Sequence, residues 1–499
     1  MEITSEWLSR KLGYGFSFDE ELPSPDKWIE KARDQVASVP KFDPWRLIAK
    51  NPEAKKLEDL DLPQLPFMNS VSLKKSDIRY PKSIDSAVSL YKQGDNEKSK
   101  LEKLYKAKKI TEGELTRNYF NKYNRFPWWR DTVTRGIDNV LGTSPVFNRF
   151  WHFWINHFSL NTGNCEGELF GSYYLTLRSN LDAKFENLLF DAIWHPAMQV
   201  FLNNNESVGP NSKSALYNKS IGKKKINSIN ENLAREILEL YTVTPKANFT
   251  QNDVNSAAYI LSGWGAFDWN GRSAKYFSLD KAEPGTHIVL GKKYGGEDLE
   301  SGLKNLCREL SKNPLTAHHI ANKLAVHFIS DDPPEESVRR ISDAFTKSNG
   351  SLVKVHQAVI GEVVSAGPSF KKFSAPELWF WQAHRASKFF PPLFTSDFSG
   401  INFIDDMLTE LGQLHSKAPQ PNGWPDLDRD WITPEYLERR IRYANRLAWN
   451  LSRDEKFDPK AYVERLPGAD EETSNSVRRS ESYKTACNIL FCSHQFLEV

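Results

Sequence analysis

Cysteines, long apolar runs and an excess of one charge are all missing from this sequence. The 499 residues include 4 cysteines, none of them in a Cys-x-x-Cys pair, which excludes a disulfide scaffold and a zinc finger. No apolar run reaches the roughly 18 residues that a membrane span needs. Lys plus Arg number 66 against 64 for Asp plus Glu, so no strong field favours nucleic acid as a partner.

The N-terminal residues also lack the pattern of an export signal. Met-Glu-Ile-Thr-Ser-Glu opens the chain, without a basic stretch followed by an apolar one. On this ground the sequence predicts no signal peptide and a cytoplasmic location.

The familiar catalytic motifs are absent as well. The sequence contains no Gly-x-Gly-x-x-Gly, no Walker loop, no Gly-x-Ser-x-Gly elbow and no His-Glu-x-x-His zinc helix. His152 and His157 are five residues apart, which places them roughly 140° apart around a helix. Those two histidines therefore cannot easily share one metal ion.

Large aromatic residues and helical signals are abundant instead. Aromatics make up 12% of the chain, with 15 Trp, which indicates a substantial buried core. The patterns predict an N-terminal arm with charged helices over residues 1–110 and a helical main domain over 111–499. We expect a mainly α protein, a multi-helix globular array with a small β-hairpin insertion near 264–295. Asn270-Gly271 is a hairpin turn signal in this region, and residues 274–279 and 286–290 are predicted to form short strands.

One predicted helix, residues 145–158, is apolar nearly all round and should be central and buried. Ser144 followed by Pro145 suits its N-cap and first turn. Asn156 and His157 lie in this apolar helix, so burial would force each to find a hydrogen-bond partner. His157 is either a core histidine that holds a loop or a general base or metal ligand.

A second helix, predicted over 230–242, carries a polar stripe. Ser228 with Glu231 has the spacing of a capping box, and so has Thr250 with Asp253 in the next helix. The polar side chains that could line a cleft here are Asn232, Arg235, Glu236, Glu239 and Asp253.

Two interpretations of this stripe are open. It could be a solvated face whose ion pairs form at i, i+4 spacing. It could instead face a cleft, where Arg235 would orient a carboxylate and Glu236 or Glu239 would act as acid, base or ligand of a divalent metal. If this helix packs against 145–158, a His–Glu metal site of the kind found in helical bundles could form.

The long polar segment 203–229 is another candidate for function, since such loops inside compact domains are usually functional or mobile. Asn203 and Asn204 open it, and Trp264 lies beside a later loop. We treat these three residues as candidates for substrate binding. Core packing is the alternative for Trp264.

Several stretches of the chain resemble the bacterial family catalogued as domain of unknown function 1800. They follow the family's order at residues 153–158, 195–198, 201–204, 230–236, 239–240, 249–254, 261–264, 283–285, 318–328 and 421–424. The resemblance covers about residues 110–499. The sequence departs from the family pattern at Val243-Thr244-Pro245, where a Gly is usual, and at Ala282, where a His is frequent.

The resemblance implies a helical bacterial protein without an agreed reaction. It also implies a possible partner, an exported sulfatase-like protein encoded nearby, and with it a periplasmic or envelope location. Two hypotheses follow. The chain is an enzyme with its site between helices 145–158 and 230–262, or it is a non-catalytic binding or assembly partner of the exported protein.

Overall fold

A computed structural model describes most of the chain. The described residues are 2–49, 79–161, 167–222, 228–266, 276–390, 404–453 and 455–499. Within them the protein is mainly α-helical, with two small antiparallel sheets, as predicted. No helix of these ranges is long and apolar enough to cross a bilayer.

The first half of the chain contributes thirteen helices within the described ranges. They are α1 (Ser5–Leu12), α2 (Pro25–Gln35), α3 (Pro44–Ile48), α4 (Ile84–Lys106), α5 (Glu112–Leu115), α6 (Phe126–Leu141), α7 (Pro145–His157), α8 (Glu168–Ser179), α9 (Phe185–Trp194), α10 (Pro196–Phe201), α11 (Lys213–Ser220), α12 (Asn232–Glu236) and α13 (Gln251–Leu261). Two π-helical segments accompany them, Thr116–Arg125 before α6 and Ile237–Tyr241 after α12.

The described residues of the second half add four strands and eleven more helices. They are β1 (Trp264–Gly265), β2 (Tyr276–Phe277), β3 (Gly285–Val289), β4 (Lys292–Gly296), α14 (Ser301–Ser311), α15 (Pro314–Phe328), α16 (Glu335–Lys347), α17 (Leu352–Ala366), α18 (Pro376–Ser387), α19 (Ile404–Leu411), α20 (Pro434–Leu451), α21 (Pro459–Arg465), α22 (Glu471–Arg478), α23 (Tyr483–Cys492) and α24 (His494–Leu497).

Local sequence signals explain where most helices begin. Pro145 occupies the first turn of α7, as predicted, where its missing N–H costs nothing. The predicted capping box of Thr250 with Asp253 is formed at the start of α13. The one predicted for Ser228 with Glu231 is not, because α12 begins later, at Asn232. There the Asn230 side chain accepts the Asn232 N–H at 2.9 Å instead.

The β3–β4 hairpin contains a turn that the sequence signals did not indicate. β3 pairs with β4 so that Val289 faces Lys292, which leaves Leu290-Gly291 as a two-residue turn. Both turn residues have positive φ, 48° and 76°, the geometry of a type I′ turn. The predicted turn, Asn270-Gly271, lies outside the described residues. A bulky Leu in the first turn position is a weak signal, which explains why β4 was missed.

The buried side chains form two hydrophobic clusters. The first contains most of α7, α8, α9 and α13 to α17. The second contains α6, α18, α20 and α23. Helix α1 and the residues after it join both, since Trp7 packs in the first cluster and Phe16 in the second.

Charged side chains are buried where these two clusters meet. Arg135 and Arg149 are 3% exposed and Lys11 is 2% exposed. Buried charges need partners. Lys11 satisfies this by donating three 2.8 Å hydrogen bonds, to the carbonyl oxygens of Ile329, Phe370 and Val499.

Candidate functional site

A stripe of ionisable side chains runs along α15 and faces α7. His319, Lys323 and His327 are spaced by four residues, so they share one side of the helix. The His157 ring centroid of α7 lies 6.1 Å from that of His319. The His152 centroid lies 6.4 Å from that of His327. The two helices thus enclose a row of basic groups.

Asp426 completes this arrangement from a loop distant in sequence. Its Oδ1 lies 2.9 Å from Nδ1 of His327. A carboxylate only accepts, so Nδ1 carries the proton and donates it to Asp426. The neutral ring then keeps a lone pair on Nε2. That nitrogen is buried and has no hydrogen-bond partner in the described part of the protein.

The loop that carries Asp426 is fixed by α7. The Asn156 side chain donates to the Trp424 carbonyl at 2.9 Å and accepts the Trp424 N–H at 2.8 Å. Gly423 has φ +82°, and a Cβ there would lie 2.3 Å from the Asn156 carbonyl oxygen. Only glycine allows this close approach without strain. Lys372 adds a third anchor by donating to the Asp426 carbonyl.

His157 holds Lys323 in place. Its Nε2 donates to the Tyr241 carbonyl at 3.3 Å, which leaves Nδ1 as an acceptor for the Lys323 ammonium at 3.4 Å. His319 likewise donates to the Leu240 carbonyl at 2.9 Å. Both carbonyls belong to the π-helical segment Ile237–Tyr241, and such segments are frequent at functional sites.

Burial sets the protonation of these groups. It lowers the pKa of His157, and the Lys323 ammonium lowers it further. Burial also lowers the pKa of Lys323 and of His327. The Asp426 carboxylate acts in the opposite direction on both, because it favours their charged forms. For Asp426, burial alone would raise the pKa, but the His327 hydrogen bond and nearby lysines lower it below its usual range. A neutral imidazole therefore faces an ionised carboxylate.

Other buried polar atoms beside the dyad also lack partners within the described ranges. They are Nδ1 of His152, Nε of Arg149 and Oγ of Ser330. Arg149 makes no ion pair in this part of the chain, and its guanidinium stacks over Phe328 at 5.3 Å. Buried polar groups are normally satisfied. Several unsatisfied ones around one imidazole point to a place where water or a ligand binds.

A second buried network lies on the far side of His152. His415 donates from Nε2 to Asp131 at 3.0 Å, and its Nδ1 accepts from Arg135. Arg135 also pairs with Asp131 at 3.2 Å and with Glu377 at 3.5 Å. Burial alone would raise the pKa of both carboxyls, but His415 and Arg135 hold them below their usual range. Each side chain in this network has hydrogen-bond or ion-pair partners, so we interpret the network as a structural contact that fixes α6 against α18.

The predicted polar stripe lies apart from this site. Arg235 is paired on both sides, with Glu231 at 3.2 Å and Glu239 at 3.1 Å, and its side chain is 38% exposed. Gln251 accepts a further bond from Arg235 at 3.0 Å. Glu236 is half-buried, and burial together with Glu239 raises its pKa. No hydrogen bond or ion pair joins these described side chains to His157.

The two remaining residues of the predicted catalytic set have local roles. Asn232 is exposed at the start of α12. Asp253 closes the capping box of α13 and accepts the Leu290 N–H at 2.7 Å, which ties the helix to the hairpin turn. The packing of α7 against this region does occur, since the His157 and Tyr241 ring centroids are 5.9 Å apart.

The three candidates for substrate binding lie elsewhere. Asn203 is exposed, with a positive φ of 56°. Asn204 is fully buried and donates to the carbonyls of Leu261 and Trp264, both at 3.2 Å. Trp264 is 3% exposed. Asn204 and Trp264 thus join α10 to β1, and neither offers an open face to a ligand.

No group of three or more His, Cys, Asp or Glu side chains has a metal-holding arrangement in the part of the chain that the structure describes. Sequence reasoning missed His327, Lys323 and Asp426. The i, i+4, i+8 spacing of the α15 residues was visible and would have indicated a shared face. The pairing with Asp426 was not visible, because 98 residues of chain lie between them.

One comparison with known proteins gives a match. A family model described as "Protein of unknown function (DUF1800)" matches residues 24–496. The match extends well into the N-terminal arm, beyond the resemblance seen in the sequence. No curated protein and no solved structure matches the chain.

Three of the stretches that carry the resemblance meet at the site. Residues 153–158 contain Asn156 and His157, residues 318–328 contain Lys323 and His327, and residues 421–424 end two positions before Asp426.

Proposed function

The chain belongs to the DUF1800 family, and we propose that it is an enzyme that activates water by general-base catalysis at the His327–Asp426 dyad. The observation that carries this proposal is the free Nε2 of His327. A carboxylate fixes the opposite ring nitrogen at 2.9 Å, and Nε2 has no hydrogen-bond partner among the residues that the structure describes. This is the arrangement by which a carboxylate selects the tautomer of a histidine base.

The surrounding residues would have distinct roles. Nε2 of His327 would take the proton from a water molecule as its oxygen attacks an electrophilic centre. Arg149 and Lys323 would stabilise the negative charge that develops there, because preorganised cations at a poorly solvated site act strongly. The leaving group would depart with its bonding electrons and regain a proton from the imidazolium.

Asn156 and His157 keep a place in this proposal as positioning residues. Asn156 holds the loop that carries Asp426, and His157 holds the Lys323 ammonium. The reaction class that fits is hydrolysis of an ester bond at a carbonyl, phosphoryl or sulfuryl centre, in which charge builds on oxygen.

The test is a panel of p-nitrophenyl esters of acetate, phosphate and sulfate, assayed with purified protein. The variants are His327→Gln and Asp426→Asn. His318→Gln is the matched control, since His318 is an exposed histidine of the same helix. We expect wild-type turnover of one ester class, unchanged in the control and reduced about 100-fold or more in both dyad variants, the range that general bases contribute.

Equal rates of ester turnover in the wild type and in His327→Gln would rule out the proposal. So would the absence of turnover by the wild type over all three ester classes. Thermal unfolding of each variant shows whether a loss of rate comes from unfolding.

A second candidate function, assembly with a partner, is favoured by the partly exposed ion-pair stripe of Glu231, Arg235 and Glu239. A partly exposed set of fixed charges suits recognition of a complementary protein surface. The family resemblance implies an exported sulfatase-like protein as that partner. Co-purification of the neighbouring gene product with the wild type, lost on Arg235→Glu and kept on His327→Gln, would support assembly over catalysis at this surface. No recovery with the wild type would count against it.

A further inference from the structure

An apolar knob projects from the segment between α10 and α12. Leu216, Tyr217 and Ile221 at α11 are 54%, 65% and 56% exposed, and Leu279 from the loop before β3 is 64% exposed. Leu279 lies beside these residues, because Asp280 next to it accepts the Ser214 N–H at 2.8 Å. Clustered exposed side chains of this size mark binding surfaces, unlike scattered single ones.

The base of the knob is held firmly. The Gly209 N–H donates to the Lys281 carbonyl at 2.9 Å. Asn211 donates to the Glu283 carboxylate twice, from the backbone at 2.8 Å and from the side chain at 2.6 Å. A Cβ on Gly209 would lie 2.6 Å from the Glu283 backbone, so the two segments are in direct contact.

The exposure of the tip therefore does not arise from a loose loop. Ala215 is 4% exposed and faces the protein, and the helix turns its larger apolar residues outward. This reverses the usual orientation of an amphipathic surface helix, whose apolar side covers the core.

Lysines lie close to the apolar tip. Lys213 and Lys219 of α11 are exposed and are each three residues from Leu216, so they lie about one helical turn from it. Lys281 is partly exposed at the base of the knob. Two carboxylates oppose these lysines: Asp280, which pairs with Lys213 at 3.9 Å between side chains 69% and 84% exposed, and Glu283, which is 6% exposed and hydrogen-bonded to Asn211. The exposed charge beside the tip is therefore mainly that of the lysines.

We propose that this knob binds the surface of an anionic lipid bilayer, with Leu216, Tyr217, Ile221 and Leu279 in the interfacial zone and the lysines at the headgroups. An exposed apolar tip flanked by lysines matches that surface, because apolar burial and attraction to anionic lipid act together there. Tyrosine is suited to the interface, with an apolar ring and a polar hydroxyl. An apolar groove of a protein partner could bind the tip too, but would not require the flanking lysines.

The test is co-sedimentation of the full chain with vesicles. One set contains phosphatidylcholine with 30% phosphatidylglycerol, and the other phosphatidylcholine alone. We expect binding to the anionic vesicles that weakens with added salt and falls at least about tenfold in a Leu216→Ser, Tyr217→Ser, Ile221→Ser variant. The control variant, Ile432→Ser with Ile441→Ser, removes two apolar residues elsewhere that are 49% and 50% exposed, and it should bind like the wild type.

Wild type that stays in solution with anionic vesicles would overturn the proposal. Binding by the triple variant equal to wild type would do the same, because it would locate the contact elsewhere. Equal binding to neutral vesicles would overturn the role of the lysines. The substituted side chains are exposed, so the fold should survive, and thermal unfolding of the triple variant checks this.

Discussion

His327 and Asp426 face each other at 2.9 Å across 98 residues of intervening chain. The contact links α15 to a loop that the Asn156 side chain of α7 holds by two hydrogen bonds. It defines which imidazole nitrogen carries the proton, and it leaves the buried Nε2 without a hydrogen-bond partner in the described ranges of the chain. The proposed chemistry depends on this relationship.

The anchoring role of Asn156 gives the first prediction. Asn156→Ala removes both hydrogen bonds to Trp424, which should cost about 1–3 kcal/mol of unfolding free energy. The loss should be local, so hydrogen exchange should speed up at Trp424 and the residues after it. Asn322→Ala, at an exposed position of α15, is the control and should leave exchange there unchanged. Slow exchange at Trp424 in Asn156→Ala would show that other contacts hold the loop.

Replacing the buried Arg135 should cost much more unfolding free energy than replacing the partly exposed Arg235. Arg135→Met leaves the Asp131 and Glu377 carboxylates buried without their guanidinium, and should lower the unfolding free energy by about 3–5 kcal/mol. Arg235→Met breaks two ion pairs at the surface and should cost no more than about 1 kcal/mol. Urea denaturation of both variants gives the comparison. Similar losses would contradict the assignment of Arg235 to a solvated face.

Packing between α6 and α18 gives a third prediction. A Cβ on Gly136 would lie 2.2 Å from the Trp381 ring, so Gly136→Ala should destabilise the protein by about 1–3 kcal/mol. Gly361 lies in α17, where the nearest atom to an added Cβ is 3.9 Å away. Gly361→Ala should therefore raise stability by about 0.5–1 kcal/mol through helix propensity. Calorimetric unfolding measures both; a stable Gly136→Ala would mean that the helices are farther apart.

Buried neutral histidines predict loss of stability in mild acid. Burial lowers the pKa of His195 and of His356 to about 3, and of His384 to about 4. A histidine whose folded pKa lies below its unfolded value binds more protons when unfolded. Its stabilising contribution is thus present above about pH 6.5 and is lost as the pH falls toward the folded value.

Between pH 7 and pH 5 each such histidine should cost about 2 kcal/mol of unfolding free energy. His195→Asn tests one of them, since Asn can still accept the Ala197 N–H as an N-cap but does not titrate. Denaturant unfolding at the two pH values should show a smaller difference for the variant than for the wild type. An identical difference would indicate that His195 is not buried in the neutral form.

Local chemistry made much of the fold predictable. Pro145 and the Thr250 capping box mark where α7 and α13 begin, and both signals involve only a few neighbouring residues. The apolar sequence of α7 also predicted that this helix is buried. The capping box predicted for Ser228 does not form, because the Asn230 side chain accepts the Asn232 N–H at the start of α12. The type I′ turn at Leu290-Gly291 was not predicted, because little but backbone geometry marks it.

The site was only partly predictable. Asn156 and His157 stood out as polar residues in an apolar helix, and both are held by tertiary hydrogen bonds. The sequence could not show whether the Arg235 stripe faces solvent or a cleft, because the i, i+4 ion pairs are the same in both cases. No sequence feature singled out Asp426, which lies in a loop. Only the tertiary fold brings it next to His327.

The protonation of His327 is the most direct test of the account. Protein labelled with ¹⁵N in histidine can be studied by NMR, with the His327 signals assigned by their loss in His327→Gln. At pH 7 we expect a neutral ring with the proton on Nδ1 and none on Nε2, and a change of this state in Asp426→Asn. A proton on Nε2 at pH 7, or a spectrum unaffected by Asp426→Asn, would contradict it.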